Sequence, residues 1–174
     1  MTEKLIIRDA TQKDAKAISQ VQVDSYLDAY KPLLPAEYLA NFTYEEQEKD
    51  WLEWGVSHPV DYLLVAEDET GIIAYALSRA LAEESGWGEV AALHVSPRHK
   101  GQGAGKALFL ESARRLEQRG CRSLLIWTLE DNPSRGFYEH LGGKLGESKH
   151  WTIEELDFDR IEVCYRWADI SSVE

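Results

Sequence analysis

Short apolar runs alternate with stretches of helical spacing along the 174-residue chain. Leu5, Ile6 and Ile7 form the first run, and Thr11-Gln12-Lys13-Asp14 follows as a capping-box pattern ahead of Ala17, Ile18 and Val21. That order predicts a strand and then a helix. Residues 35–56 are rich in Glu, Leu and Trp with no glycine before Gly55, which predicts a second helical region closed by Pro59. Tyr62-Leu63-Leu64-Val65-Ala66 and Ile72-Ile73-Ala74-Tyr75-Ala76-Leu77 read as a hairpin, joined by a polar link ending at Gly71. Residues 89–95 form a further strand that leads through Pro97 into a glycine-rich loop. Phe109, Ala113 and Leu116 then fall at i, i+4 and i+7 of a helix ended by Gly120. Residues 123–128 read as a buried strand. Asn132-Pro133 opens a short helix carrying Phe137, Tyr138 and Leu141 and stopped by Gly142-Gly143, and residues 160–167 alternate as a last strand. The elements imply one domain over residues 1–174, a mixed α/β sheet covered by helices.

Composition narrows the class. With 44% apolar residues the chain can close one core, and no run approaches the roughly 18 apolar residues of a membrane helix. The start lacks the basic and apolar regions of a secretory signal, so a soluble, cytoplasmic protein that binds no membrane is expected. A net charge of −12 argues against general affinity for nucleic acid. Cys121 and Cys164 lie far apart without a Cys-x-x-Cys or a histidine pair, so no metal site is expected and both read as small buried hydrophobes.

The strongest chemical signal is Arg98-His99-Lys100-Gly101-Gln102-Gly103-Ala104-Gly105-Lys106, set between a strand and a helix. A helix start leaves about four backbone N–H groups without partners and carries partial positive charge. Glycines let such a backbone approach an anion closely, and four potential cations gather here in an acidic chain. A polyanion is expected. A G-x-x-x-x-G-K-[ST] loop would need glycine at Lys100 and a hydroxyl at Ala107, and a dinucleotide G-x-G-x-x-G would put its third glycine at Lys106. A turn with charged decoration and no ligand is the bland alternative.

Lys100-Gly101-Gln102-Gly103-Ala104-Gly105 resembles the coenzyme A loop of the GNAT superfamily of acetyltransferases, with lysine in place of the usual arginine or glutamine. Ile7-Arg8-Asp9-Ala10-Thr11 with Asp14 resembles the family's opening strand and helix. Asn132-Pro133-Ser134-Arg135-Gly136-Phe137-Tyr138-Glu139 with Leu141-Gly142-Gly143 resembles its closing motif, with Asn132 and Tyr138 six apart where seven is commoner. The resemblance spans most of the chain. It implies the GNAT-like fold, a mostly antiparallel sheet splayed between its fourth and fifth strands and flanked by helices, and acetyl-CoA as cosubstrate. By position, the backbone of Leu93, His94 and Val95 would meet the pantetheine arm like an added strand, and amides from Gly101 through Gln102, Gly103, Ala104, Gly105 and Lys106 would hold the pyrophosphate. Asn132 would meet the coenzyme at the end of the fifth strand.

The resemblance also implies the chemistry: acetyl transfer to an amine that is about 99.9% protonated at pH 7 and must first lose a proton. Glu89, at the start of the fourth strand, matches a position where family members carry a base, although a solvent-facing strand end is an equal reading. Tyr138 matches the family's tyrosine, which would protonate the thiolate leaving group; the alternative is a core aromatic beside Phe137. A backbone N–H of the fourth strand, that of Val95, would polarise the carbonyl. Alternation sets His94 opposite Leu93 and Val95, against a role as base. Acceptor choice should lie in residues 26–54, where Tyr26, Tyr30, Trp51 and Trp54 could line a slot and Asp24 and Asp28 could meet a cation, although simple packing of a helical hairpin by these aromatics is the favoured reading. Small amines such as polyamines, amino acids or antibiotics are favoured as acceptors, with protein N-termini or a non-catalytic coenzyme A sensor as alternatives. Pairing through residues 161–167, read as an edge strand, makes a homodimer plausible.

Overall fold

The computed structural model describes residues 5–57 and 61–173. Pro59, expected to close the second helical region, and the first four residues, on which the reading of the chain start partly rests, lie outside them. In chain order the elements are β1 (Ile6–Asp9), α1 (Ala15–Tyr30), α2 (Ala36–Ala40), α3 (Tyr44–Ser57), β2 (Tyr62–Asp68), β3 (Gly71–Ala80), β4 (Trp87–Val95), α4 (Ala104–Gln118), β5 (Ser123–Leu129), α5 (Arg135–His140), β6 (Lys144–Ile153) and β7 (Phe158–Trp167). The expected capping box forms, with Thr11 N–H donating to Asp14 Oδ2 at 2.7 Å. Arg8 locks it from β1, donating to both oxygens of Asp14. That pair holds the Asp14 carboxyl down at about 2, chiefly through the Arg8 hydrogen bonds.

The seven strands form one sheet in the order β1-β2-β3-β4-β5-β7-β6. Every pairing is antiparallel except β4 with β5, which is parallel and covers only Trp87 to Glu89 against Ser123 to Leu125. Beyond Glu89 the two strands part. The sheet is covered on both faces: α4 packs Leu108 against Leu64, Ala74 and Ala76, while α1 packs Ile18 and Val21 against Val65 and Tyr75. Leu108, Phe109 and Leu116 of α4 are fully buried, each contributing about 2 kcal/mol of apolar burial that fixes the helix on the sheet. Both cysteines are buried free thiols.

Two expectations change. Residues 144–153 form a strand that the sequence pattern hides: nearly all of β6 is exposed, so no apolar alternation marks it. With β6 outside it, β7 pairs on both sides, so residues 161–167 are interior strand and offer no edge for pairing between subunits. The single helical region expected at residues 35–56 is two helices broken at Asn41-Phe42-Thr43.

Candidate active site

The parting of β4 and β5 opens a cavity of about 690 Å³ that runs from the start of α4, through the gap, to the aromatic end of α1. One wall is β4. Ser96 N–H donates to Ile73 C=O at 2.8 Å, and in an antiparallel ladder alternate residues direct both backbone groups to the same neighbour. Leu93 and Val95 therefore turn their N–H and C=O toward the gap, where no strand among the described residues meets them. His94, opposite Tyr75 in the register, turns its backbone to β3 instead, so it offers the gap no main-chain bond.

The side chains alternate the other way. Leu93 and Val95 pack beneath α4. His94 lies on the α1 face, its ring stacked on Tyr75 with centroids 5.3 Å apart and its Nδ1 2.7 Å from Ser25 Oγ. Burial, aided by the nearby Lys100 charge, lowers its pKa to about 4, so the imidazole is neutral at ordinary pH.

At the other wall the chain after β4 makes a short 3-10 turn at Pro97 to His99 and then enters α4. Gly101 and Gly103 have φ of +77° and +91°, the left-handed region that favours glycine. This geometry turns the amides of Ala104, Gly105 and Lys106 toward the opening; the first intrahelical bond is donated only by Ala107, to Gly103 C=O at 2.9 Å. Gly105 sits close to β4: a Cβ there would lie 3.2 Å from Val95 Cγ2, so that methyl would have to yield by a few tenths of an ångström. An anion at this helix start meets several unpartnered N–H groups and the positive end of a 15-residue helix, an interaction of about 1 kcal/mol beyond the hydrogen bonds. Lys106 makes no ion pair among the described residues, whereas Lys100 is held 2.6 Å from Asp28 of α1.

Of the residues singled out from sequence, Leu93, His94, Val95, Lys100, Gly101, Gly103, Ala104, Gly105, Lys106, Asn132 and Tyr138 all line this cavity. Gln102 and Glu89 do not. Gln102 Nε2 bonds back to Arg98 C=O at 3.3 Å, and Glu89 is engaged by Arg79 Nε at 2.9 Å on the still-paired part of β4. Asn132 lines the wall but spends its amide inside the protein, on Tyr30, Thr128 and Ser134. Tyr138 is 6% exposed, and its hydroxyl bonds to no described residue. Burial raises its pKa well above the usual phenol value, keeping the proton on oxygen.

The acceptor end divides between the two readings of its aromatics. Tyr26 and Tyr30 line the cavity, but Trp51 belongs to the core with Ile18 and Tyr75, donating to Gln22 Oε1 at 2.6 Å, and Trp54 stacks edgewise on Trp51. Asp24 accepts from the Tyr44 hydroxyl, and Asp28 is the Lys100 partner. Among the lining residues that were missed are Trp127, Thr128, Trp151 and Glu162. Trp151 sits on the unmarked strand β6. Glu162 is an acidic residue in an alternating strand, which sequence cannot tell from a solvent-facing one.

The model of the acetyltransferase (GNAT) family matches residues 23–143. A protein of Bacillus subtilis (strain 168) described as the uncharacterized N-acetyltransferase YuaI is 31% identical over 170 residues, covering 96% of this chain and 95% of that one. The chain belongs to the GNAT acetyltransferase family and is an acetyl-CoA-dependent N-acetyltransferase by that membership. Solved structures show the same fold. The PaiA N-acetyltransferase from Thermoplasma acidophilum, in complex with coenzyme A, aligns with a TM-score of 0.75 at 19% identity over 92% of this chain and 98% of that one. The yncA protein from Salmonella typhimurium, with its cofactor acetyl-CoA, gives 0.70 at 16% identity over 95% and 94%.

Proposed function

We propose that this chain transfers the acetyl group of acetyl-CoA to a primary amine of a small cytoplasmic molecule, by direct attack with both substrates bound. One observation carries the reading: a single cavity joins the amide-lined start of α4, the unpaired edge of β4 and the Tyr138 hydroxyl. The residues fit a diphosphate-bearing acyl thioester. The amides from Gly103 to Lys106, with the Lys106 ammonium, bind the diphosphate. Leu93 and Val95 pair with the amides of the pantetheine arm as a partner strand would.

Acetyl-CoA supplies an activated acyl carbon bonded to sulfur. A backbone N–H of β4 turned into the gap donates to the acyl oxygen as charge gathers on it. The amine arrives after losing its proton to water. Glu89, tied to Arg79 outside the cavity lining, serves only as the far end of a water chain. As the C–N bond forms and the C–S bond breaks, Tyr138 gives its proton to the departing sulfur and recovers one from the amine through water. His94 has no part in the proton transfers, because burial leaves its imidazole only weakly basic and Ser25 engages its Nδ1.

The experiment is thiol release from acetyl-CoA across free amines and N-terminal peptides. Turnover with small amines supports the reading. Turnover confined to peptides moves the acceptor to protein N-termini, and binding without any turnover makes the chain a coenzyme A-binding module.

A further inference from the structure

The charges around the cavity are segregated. Lys100 and Lys106 stand at the α4 end, and Glu162 is the one carboxylate among the described residues that line it, at the far end on β7. Glu162 faces Leu129 of β5 on one side and Lys149 of β6 on the other. The Lys149 ammonium lies 3.5 Å from Glu162 Oε2 and 4.1 Å from the centre of the Trp127 ring. An alkylammonium of the chain itself thus sits where a carboxylate and an indole face meet, the two groups that attract an organic cation. The Lys149 side chain is half exposed and the ion pair is long, so solvent screens it and an arriving cation exchanges with it readily. Tyr26 and Tyr30 stand close enough to feel the Glu162 charge, which adds to burial in raising both phenols.

A group held as a cation cannot also be the nucleophile, because attack needs the neutral amine. Resting on the transferase reading above, we propose that Glu162 and the face of Trp127 bind a second cationic group of the acceptor, separate from the attacked amine, and that Lys149 occupies this receptor until the acceptor displaces it. The acceptor class is then a diamine or longer polycation. Amino acids, whose second group is a carboxylate, are disfavoured by Glu162. Lys149 also sets a threshold: its tethered ammonium competes with any weak monocation for the same carboxylate.

Three probes of equal length test this: 1,6-diaminohexane, 1-aminohexane and 6-aminohexanoate, as acceptors in thiol release and as ligands in calorimetric titration with and without coenzyme A. The wild type should prefer the diamine at least tenfold in KM over the monoamine and bind it most tightly. Glu162→Gln, nearly isosteric, should bring the first two within about twofold while leaving acetyl-CoA affinity unchanged. Lys149→Met, which keeps the stem and removes the ammonium, should lower the diamine KM severalfold. A diamine preference that survives Glu162→Gln, or a Lys149→Met variant that matches wild type, overturns the receptor and leaves an ordinary surface ion pair. Calorimetry reads the receptor without turnover, so absence of diamine binding in both conditions also overturns it. The transferase reading falls separately, if folded wild type fails to bind acetyl-CoA.

Discussion

Asn132 Nδ2 donates to the Tyr30 hydroxyl at 2.8 Å, joining the end of α1 to the turn that follows β5. The same nitrogen reaches Thr128 Oγ1 at 2.8 Å, and Oδ1 accepts from Ser134 N–H at 2.8 Å. This amide braces the turn that carries α5, and therefore Tyr138, against α1. Asn132→Ala removes the buried amide and leaves Tyr30, Thr128 and Ser134 without it, and should cost about 1–3 kcal/mol, read as a lower urea midpoint at constant slope. If its amide served the coenzyme instead, acetyl-CoA affinity would fall while stability held.

Tyr138→Phe separates catalysis from packing. The hydroxyl bonds to no described residue, so its loss should leave stability within about 0.5 kcal/mol of wild type. As the proton donor to sulfur it should lower kcat by about 10²-fold and change KM for acetyl-CoA little. Steady-state kinetics against a small amine checks both.

Gly103 and Gly105 serve the same loop for different reasons. Gly103→Ala meets open space but forces a side chain into φ of +91°, a strain of about 1–2 kcal/mol that should appear as roughly tenfold weaker acetyl-CoA binding as the amides turn away. Gly105→Val presses on Val95 and should impair binding and kcat together, since Val95 forms the wall of the gap. Calorimetry and kinetics on the two variants should differ in this way.

His94 makes stability depend on pH. Its folded pKa is about 4 against an ordinary 6.5, so between these values the unfolded chain binds a proton that the folded chain refuses. Stability from this source is complete above pH 6.5 and is lost as pH falls to 4, by up to about 3 kcal/mol. His94→Gln should flatten that part of the profile in urea unfolding at pH 4.5 to 7. The rate should show no ionisation belonging to His94 above pH 5.

Much of this was legible in the chain because the relevant signals are local. The capping box at Thr11 and the glycines at 101 and 103 each act through neighbours in sequence, and their consequences appear where expected. Alternation alone placed His94 on the face opposite Leu93 and Val95. What stayed hidden depends on distant partners. Glu89 looked available as a base until Arg79 of the neighbouring strand was seen to hold it. Between lining and packing, Trp51 could not be decided locally; it packs, partly buried, against Tyr75 from β3. Residues 161–167 looked like an edge because the mostly exposed strand β6 carries no clear periodic mark. Glu162 gains its meaning only from Trp127 and Lys149, which lie on two other strands.

The most direct test of the central claim is a calorimetric titration of the purified chain with acetyl-CoA, beside a Gly105→Glu variant shown to be folded by circular dichroism. The cavity predicts one site per chain with micromolar affinity in the wild type, and loss of binding in the variant, whose carboxylate would enter the amide-lined start of α4. Folded wild type that takes up no acetyl-CoA, or a folded variant that binds it as well as wild type, would contradict the assignment of this site.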